Sequence, residues 1–104
     1  MNRFTYIIIF FDIPTINKSD RAMANKFRIG LLKLGFFRIQ LSVYSKICKG
    51  DNVESSISNI KKILPSSGNV RILKTTYKQY KNMEILVGKA NKTEEMSAKK
   101  LIII

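Results

Sequence analysis

The sequence predicts an α+β fold, and three observations predict it. Segments of strand character and segments of helical spacing follow one another in the order strand, helix, strand, strand, helix, strand. At 104 residues the chain suits one domain, large enough to bury roughly two-thirds of the surface its unfolded form exposes. The first strand is apolar on both faces, which marks it as central in its sheet.

That first strand is the continuous run Tyr6-Ile7-Ile8-Ile9-Phe10-Phe11, stopped by Asp12 with Pro14 two residues later. It is rich in Ile and aromatics and too short for a helix, so Thr5 to Phe11 reads as strand and Asp12 to Lys18 as loop. Asn17 or Ser19 caps the helix that follows, Asp20 lies in its first turn, and Met23, Phe27, Leu31 and Leu34 form one apolar stripe. Gly35 closes it.

Residues 36 to 48 are aromatic and β-branched, without proline or glycine. They are too many for one ordinary strand, so a tight hairpin or sharp bend near Gln40 and Leu41 divides them into strands at 36–39 and 42–48. Asp51 and Glu54 have capping-box spacing, and Val53, Ile57, Ile60 and Leu64 make a second stripe, giving a helix that runs to about Leu64. Pro65 and Gly68 enclose a turn, and Val70 to Thr75 is the next strand. Thr76 to Lys81 has room for a short helical turn, and Met83 to Val87 reads as an additional, shorter strand ended by Gly88.

Residues 1–88 are therefore expected to form a ferredoxin-like βαββαβ sandwich with an additional C-terminal strand, both helices on one face of an antiparallel sheet. Residues 89–104 read as a polar linker followed by Leu101–Ile104, an apolar segment suited to adding a strand to a partner sheet. Two helices cover only one face of a sheet, whereas the first strand offers Tyr6, Ile8 and Phe10 on one side and Ile7, Ile9 and Phe11 on the other. With no spare element evident, a homodimer packed sheet toward sheet is the expected cover.

The charge balance bears on partners. Nineteen Lys and Arg face seven Asp and Glu, for a net charge of +12. The excess is spread evenly along the chain rather than gathered in a tail. A folded domain so charged repels itself, and a polyanion relieves that repulsion; the alternative is a simply soluble cationic surface.

Several classes are excluded. With no histidine anywhere, Ser-His-Asp, Cys-His and histidine-zinc chemistry are absent, and no glycine-rich phosphate loop occurs. The single cysteine, Cys48, makes no internal disulfide and fits a small strand residue in a reducing, cytoplasmic setting. A signal peptide is rejected because Asp12 interrupts the apolar run and Lys18, Asp20 and Arg21 crowd the region before any cleavage site. No membrane segment is expected, since Leu101–Ile104 is far too short to span a bilayer.

Asp12 is the acid without an assigned structural role at a helix start or in the polar tail, apart from Glu84. It has two readings. An Asp before Ile-Pro forms an Asx-type turn; alternatively its carboxylate, paired with a second copy across a two-fold axis or with phosphate, holds a divalent ion for attack of water on a phosphodiester.

The constellation resembles a known family over roughly residues 4 to 88. It rests on Phe11-Asp12-Ile13-Pro14 after an apolar strand, Arg21 entering the first helix, Gly35-Phe36, Arg38-Ile39-Gln40-Leu41-Ser42-Val43-Tyr44, and Gln79-Tyr80 ahead of Met83 to Gly88. The family is the small CRISPR-associated adaptation proteins, the second of the numbered Cas families, whose members carry the name endoribonuclease. The resemblance implies a ferredoxin-like homodimer with Asp12 as the Mg²⁺-binding and catalytic candidate. It implies a DNA-binding scaffold that bridges CRISPR integrase subunits during spacer acquisition, in antiviral defence.

The resemblance also points to Arg21, Arg38 and Tyr44 as nucleic-acid-binding residues: the arginines by neutralising phosphate, the tyrosine by stacking on or positioning the strand. Their bland readings are a solvated helix residue for Arg21 and sheet packing for Tyr44. Many members carry tyrosine before the aspartate where this chain has Phe11, which removes any role of that hydroxyl. The functions expected are thus a duplex-DNA scaffold, or a Mg²⁺-dependent endonuclease acting on RNA or DNA. A general ferredoxin-like RNA-binding module is disfavoured, because residues 42–47 lack its Gly-Phe/Tyr-Gly pattern.

Overall fold

The structure, a computed structural model, describes residues 4–90. The elements are β1 (Phe4–Asp12), α1 (Lys18–Lys33), β2 (Phe37–Gln40), β3 (Val43–Lys49), a 3₁₀ turn (Gly50–Asn52), α2 (Val53–Lys61), β4 (Asn69–Thr76) and α3 (Tyr77–Lys81). They form one four-stranded sheet in the order β2-β3-β1-β4 with every neighbouring pair antiparallel. This is the ferredoxin-like arrangement, with the apolar first strand central as its composition requires.

The register of β1 sorts the sheet into two faces. Ile7 and Ile9 belong to a core completed by Phe27 and Leu31 from α1, Val53 and Ile60 from α2, and Phe36, Tyr44 and Cys48. The other face carries Tyr6, Ile8, Phe37 and Ile47, with Tyr80 of α3 buried among them. Alternation along the strand thus feeds two separate apolar clusters.

The helix ends explain the boundaries. Asn17, not Ser19, caps α1: its Oδ1 accepts from the Asp20 N–H at 2.8 Å. At the far end Gly35 adopts φ +92°, and the Phe36 N–H donates to the Leu31 carbonyl at 3.0 Å. The Lys46 ammonium donates to the Leu34 carbonyl at 2.8 Å, placing a cation at the helix C-terminus.

The bend between β2 and β3 falls at Leu41 and Ser42, with a register shift between Arg38 and Gln40. Asp51 and Glu54 do not build the expected capping box. The chain enters α2 through the 3₁₀ turn, which puts Asn52 at the cap with helical dihedrals and no side-chain cap bond. A capping box forms instead on α3, where Thr76 Oγ1 accepts from the Gln79 N–H at 3.0 Å and Gln79 Oε1 accepts from the Thr76 N–H at 2.9 Å. The second helix stops at Lys61, leaving Leu64 outside it and exposed.

Two further expectations are corrected. Met83 to Val87 forms no strand among the described residues, because apolar composition makes a strand only where a neighbour takes up its backbone hydrogen bonds, and none pairs with it. The chain also holds an element that covers part of the second face. Tyr80 of α3 stacks on Tyr6 with ring centroids 3.8 Å apart, and Tyr77 stacks beyond at 6.2 Å. The cover is incomplete, since Phe10 and Leu73 remain 39% and 51% exposed. The linker and C-terminal segment expected at 89–104 lie almost wholly outside the described residues.

Candidate nucleic-acid and metal site

Asp12 closes β1 on the face that carries Tyr6, Ile8 and Phe10, opposite Asn69, the first residue of β4. The local geometry is set by Gly68. It has φ +95°, and a β-carbon there would lie 2.6 Å from the Asp12 carbonyl oxygen and 3.1 Å from Ile13 Cα. Only glycine accepts both the dihedral and the contact, so the 65–68 turn delivers β4 directly against the backbone of Asp12. Ser66 Oγ, donating to Met23 Sδ at 3.2 Å, ties the same turn to α1.

The Asp12 side chain is exposed, and among the described residues it forms no ion pair and no side-chain hydrogen bond. In a chain of net charge +12 that leaves the carboxylate available to a cation. Mg²⁺ commonly takes one or two carboxylates and completes its octahedron with water and phosphate oxygens. No cluster of three potential ligands among His, Cys, Asp and Glu occurs in the described residues. The donor set therefore fits a one-carboxylate site that needs phosphate or a second copy to be complete.

Arg21 stands at the start of α1, and its Nη1 donates to the carbonyls of Thr15 and Ile16 at 3.3 and 3.4 Å. It braces the loop that leaves Asp12 for the helix, and its position remains exposed. Arg38 and Tyr44 are direct partners across the β2–β3 ladder. Tyr44 is buried on the helix side of the sheet, its ring 5.7 Å from that of Phe11. Burial pushes its phenol above the usual tyrosine range, an effect that Arg28 and Arg38 oppose. Tyr44 is thus a core ring that keeps its proton beyond the usual range, with the charges of Arg28 and Arg38 acting against that burial.

The structure does not bring the four candidates together. Asp12 is at one end of the open face, Arg21 borders its loop, and Arg38 with Tyr44 belongs to the opposite side of the sheet. Phe11 likewise packs into the helix-side core, edge-on to Phe27 at 5.1 Å. A hydroxyl on that ring would therefore not stand on Asp12's face. The neighbours of these candidates, Asn69 opposite Asp12 and Arg28 acting on Tyr44, were not legible from the sequence. Asn69 could have been found only from the strand register, because nothing in its spacing from Asp12 marks it.

Comparisons with known proteins agree with the fold and its order of elements. The family model of CRISPR associated protein Cas2 matches residues 5–83. The CRISPR-associated endoribonuclease Cas2 of Campylobacter jejuni is 50% identical over 88 residues, spanning 84% of this chain and 62% of that protein. The protein of the same name from Treponema denticola is 38% identical over 99 residues, covering 94% of this chain and 97% of its own. A crystal structure of cas2 superposes with a TM-score of 0.57 at 21% identity, over 86% of this chain and 92% of that one, and supports the fold. With its ferredoxin-like sheet, its acid at the end of the central strand and matches of this extent, the chain belongs to the Cas2 family of CRISPR adaptation proteins.

Proposed function

We propose that this protein serves as the DNA-binding scaffold subunit of the spacer-acquisition complex, acting as a homodimer beside a CRISPR integrase subunit. The observation that carries this reading is the charge. Nineteen cationic side chains face seven acids, and the ion pair between Lys74 and Glu54, at 3.8 Å, joins two exposed residues and neutralises little. A surface of this kind grips the phosphates of a duplex without reading its sequence. Arg21 and Arg38 are the proposed phosphate contacts, and the proposed role of Tyr44, the buried partner of Arg38 across the β2–β3 ladder, is to position it. The exposed apolar part of the open face around Leu73, away from its Asp12 end, is the proposed dimer surface, and the C-terminal segment is the proposed addition to the partner's sheet.

Asp12 is the proposed Mg²⁺ ligand. When bound, the ion would polarise a phosphate oxygen or activate a water. A second reading, a Mg²⁺-dependent endonuclease acting on RNA or DNA, draws on the endoribonuclease names of the relatives. An RNA module of the ribonucleoprotein type is less well supported. It stacks bases on exposed sheet aromatics, whereas here Tyr6 is buried beneath Tyr80.

Asp12→Ala separates scaffold from nuclease. Spacer acquisition in cells at the wild-type level, with the variant folded and assembled, is expected of a scaffold. Loss of acquisition despite intact assembly refutes the pure scaffold reading.

A further inference from the structure

The register of β4 places two polar residues beside Asp12 on the open face. Asn69 lies directly opposite Asp12, and Arg71, opposite Phe10, is the diagonal neighbour. Diagonal positions on one face are about 7–8 Å apart, within reach of a long side chain. Arg71 Nε donates to Asn69 Oδ1 at 3.2 Å. One donor of the guanidinium is thereby fixed by a residue of its own strand, and its two amino groups are left for a further acceptor.

Asp12 and Arg71 are both exposed and of opposite charge, yet no ion pair joins them. An acid and an arginine held apart on one patch suit a ligand that carries both signs. A phosphodiester with a divalent cation meets that description, since the cation bridges carboxylate and phosphate while the planar fork takes the remaining oxygens. A lysine would not do the same, being a point charge without the fork.

We propose that Arg71 is a phosphate-contacting residue of the Asp12 site and Asn69 its positioning residue, so that the start of β4 supplies the anion-holding half and the end of β1 the cation-holding half. The ligand is a phosphodiester of nucleic acid together with a divalent metal ion. This rests on the reading of Asp12 as a metal ligand.

The test is the affinity of the full chain for a defined DNA duplex, with and without Mg²⁺. It compares wild type with Asp12→Asn, Arg71→Ala, Arg71→Lys, Asn69→Ala and the double variant Asn69→Ala/Arg71→Ala. Lys62→Ala controls for the loss of one exposed charge, and thermal midpoints verify folding. Mg²⁺ is expected to tighten wild-type binding several-fold, and Asp12→Asn and Arg71→Ala each to abolish that gain. Arg71→Lys should fail to restore it, while Lys62→Ala leaves it intact. Asn69→Ala should reduce the gain without lowering the thermal midpoint, and the double variant should be no worse than Arg71→Ala alone, whereas a merely structural role would lower the midpoint together with the gain. A gain lost in Asp12→Asn but intact in Arg71→Ala overturns the proposal and spares the Asp12 reading. No gain in wild type overturns the Asp12 reading, and the proposal with it.

Discussion

The rings of Tyr6 and Tyr80 lie face to face, 3.8 Å between centroids and 8° from parallel, joining the central strand to the five-residue helix α3. A helix this short has no stability of its own. It is held by this stack and by the Thr76–Gln79 capping box. Tyr80→Ala should therefore cost about 3 kcal/mol, from the lost ring burial and stacking, and should release α3 from the sheet. Chemical denaturation of wild type and variant checks the cost.

The glycines at 68 and 30 should respond oppositely to alanine. At Gly68 the new β-carbon meets the Asp12 carbonyl at 2.6 Å with φ at +95°, and backbone cannot yield cheaply. Gly68→Ala should cost about 2–3 kcal/mol, the left-handed dihedral supplying about 1–2 of it. At Gly30, within α1, the collision at 2.9 Å is with Ile63 Cδ1, the end of a flexible side chain. The gain of about 1 kcal/mol in helix propensity should leave Gly30→Ala neutral to slightly stabilised. Urea unfolding of the pair distinguishes the two cases.

Tyr44 makes stability depend on alkaline pH. Its phenol is raised in the folded chain by burial, with Arg28 and Arg38 opposing, so the folded state holds the proton more tightly than the unfolded one. The contribution is fully present below the ordinary tyrosine pKa of about 10 and is lost as pH rises through the raised native value. Tyr44→Phe should remove one phenol from the part of an ultraviolet titration that ionises above the usual range. It should also flatten the loss of stability there. An unchanged high-pH titration in the variant would contradict the assignment.

Much of the fold could be read from residue spacing. The central strand announced itself by apolar residues on both faces, and α1 by a stripe that ends at a glycine. The capping box at Asp51 and Glu54 was misread because spacing alone does not show whether the chain enters a helix directly or through a 3₁₀ turn. Met83 to Val87 was misread because a strand depends on a partner edge, which composition cannot supply. The role of α3 was missed for a related reason: five residues show no periodicity, and only the fold brings Tyr80 onto Tyr6. At the site, Asp12 was evident as an acid ending a buried strand. Gly68, Asn69 and Arg71 were not, since their relation to Asp12 exists only through the β1–β4 register.

The claim that this Cas2-family chain binds duplex DNA through its phosphate backbone is tested most directly by a salt titration of binding. Each phosphate neutralised should contribute about −0.9 to the slope of log affinity against log salt, so several contacts give a loss of about a thousandfold or more between about 50 and 200 mM salt. Duplexes of unrelated sequence should bind alike. A steep slope shared by different sequences is the predicted result, and affinity that stays flat with salt would contradict it.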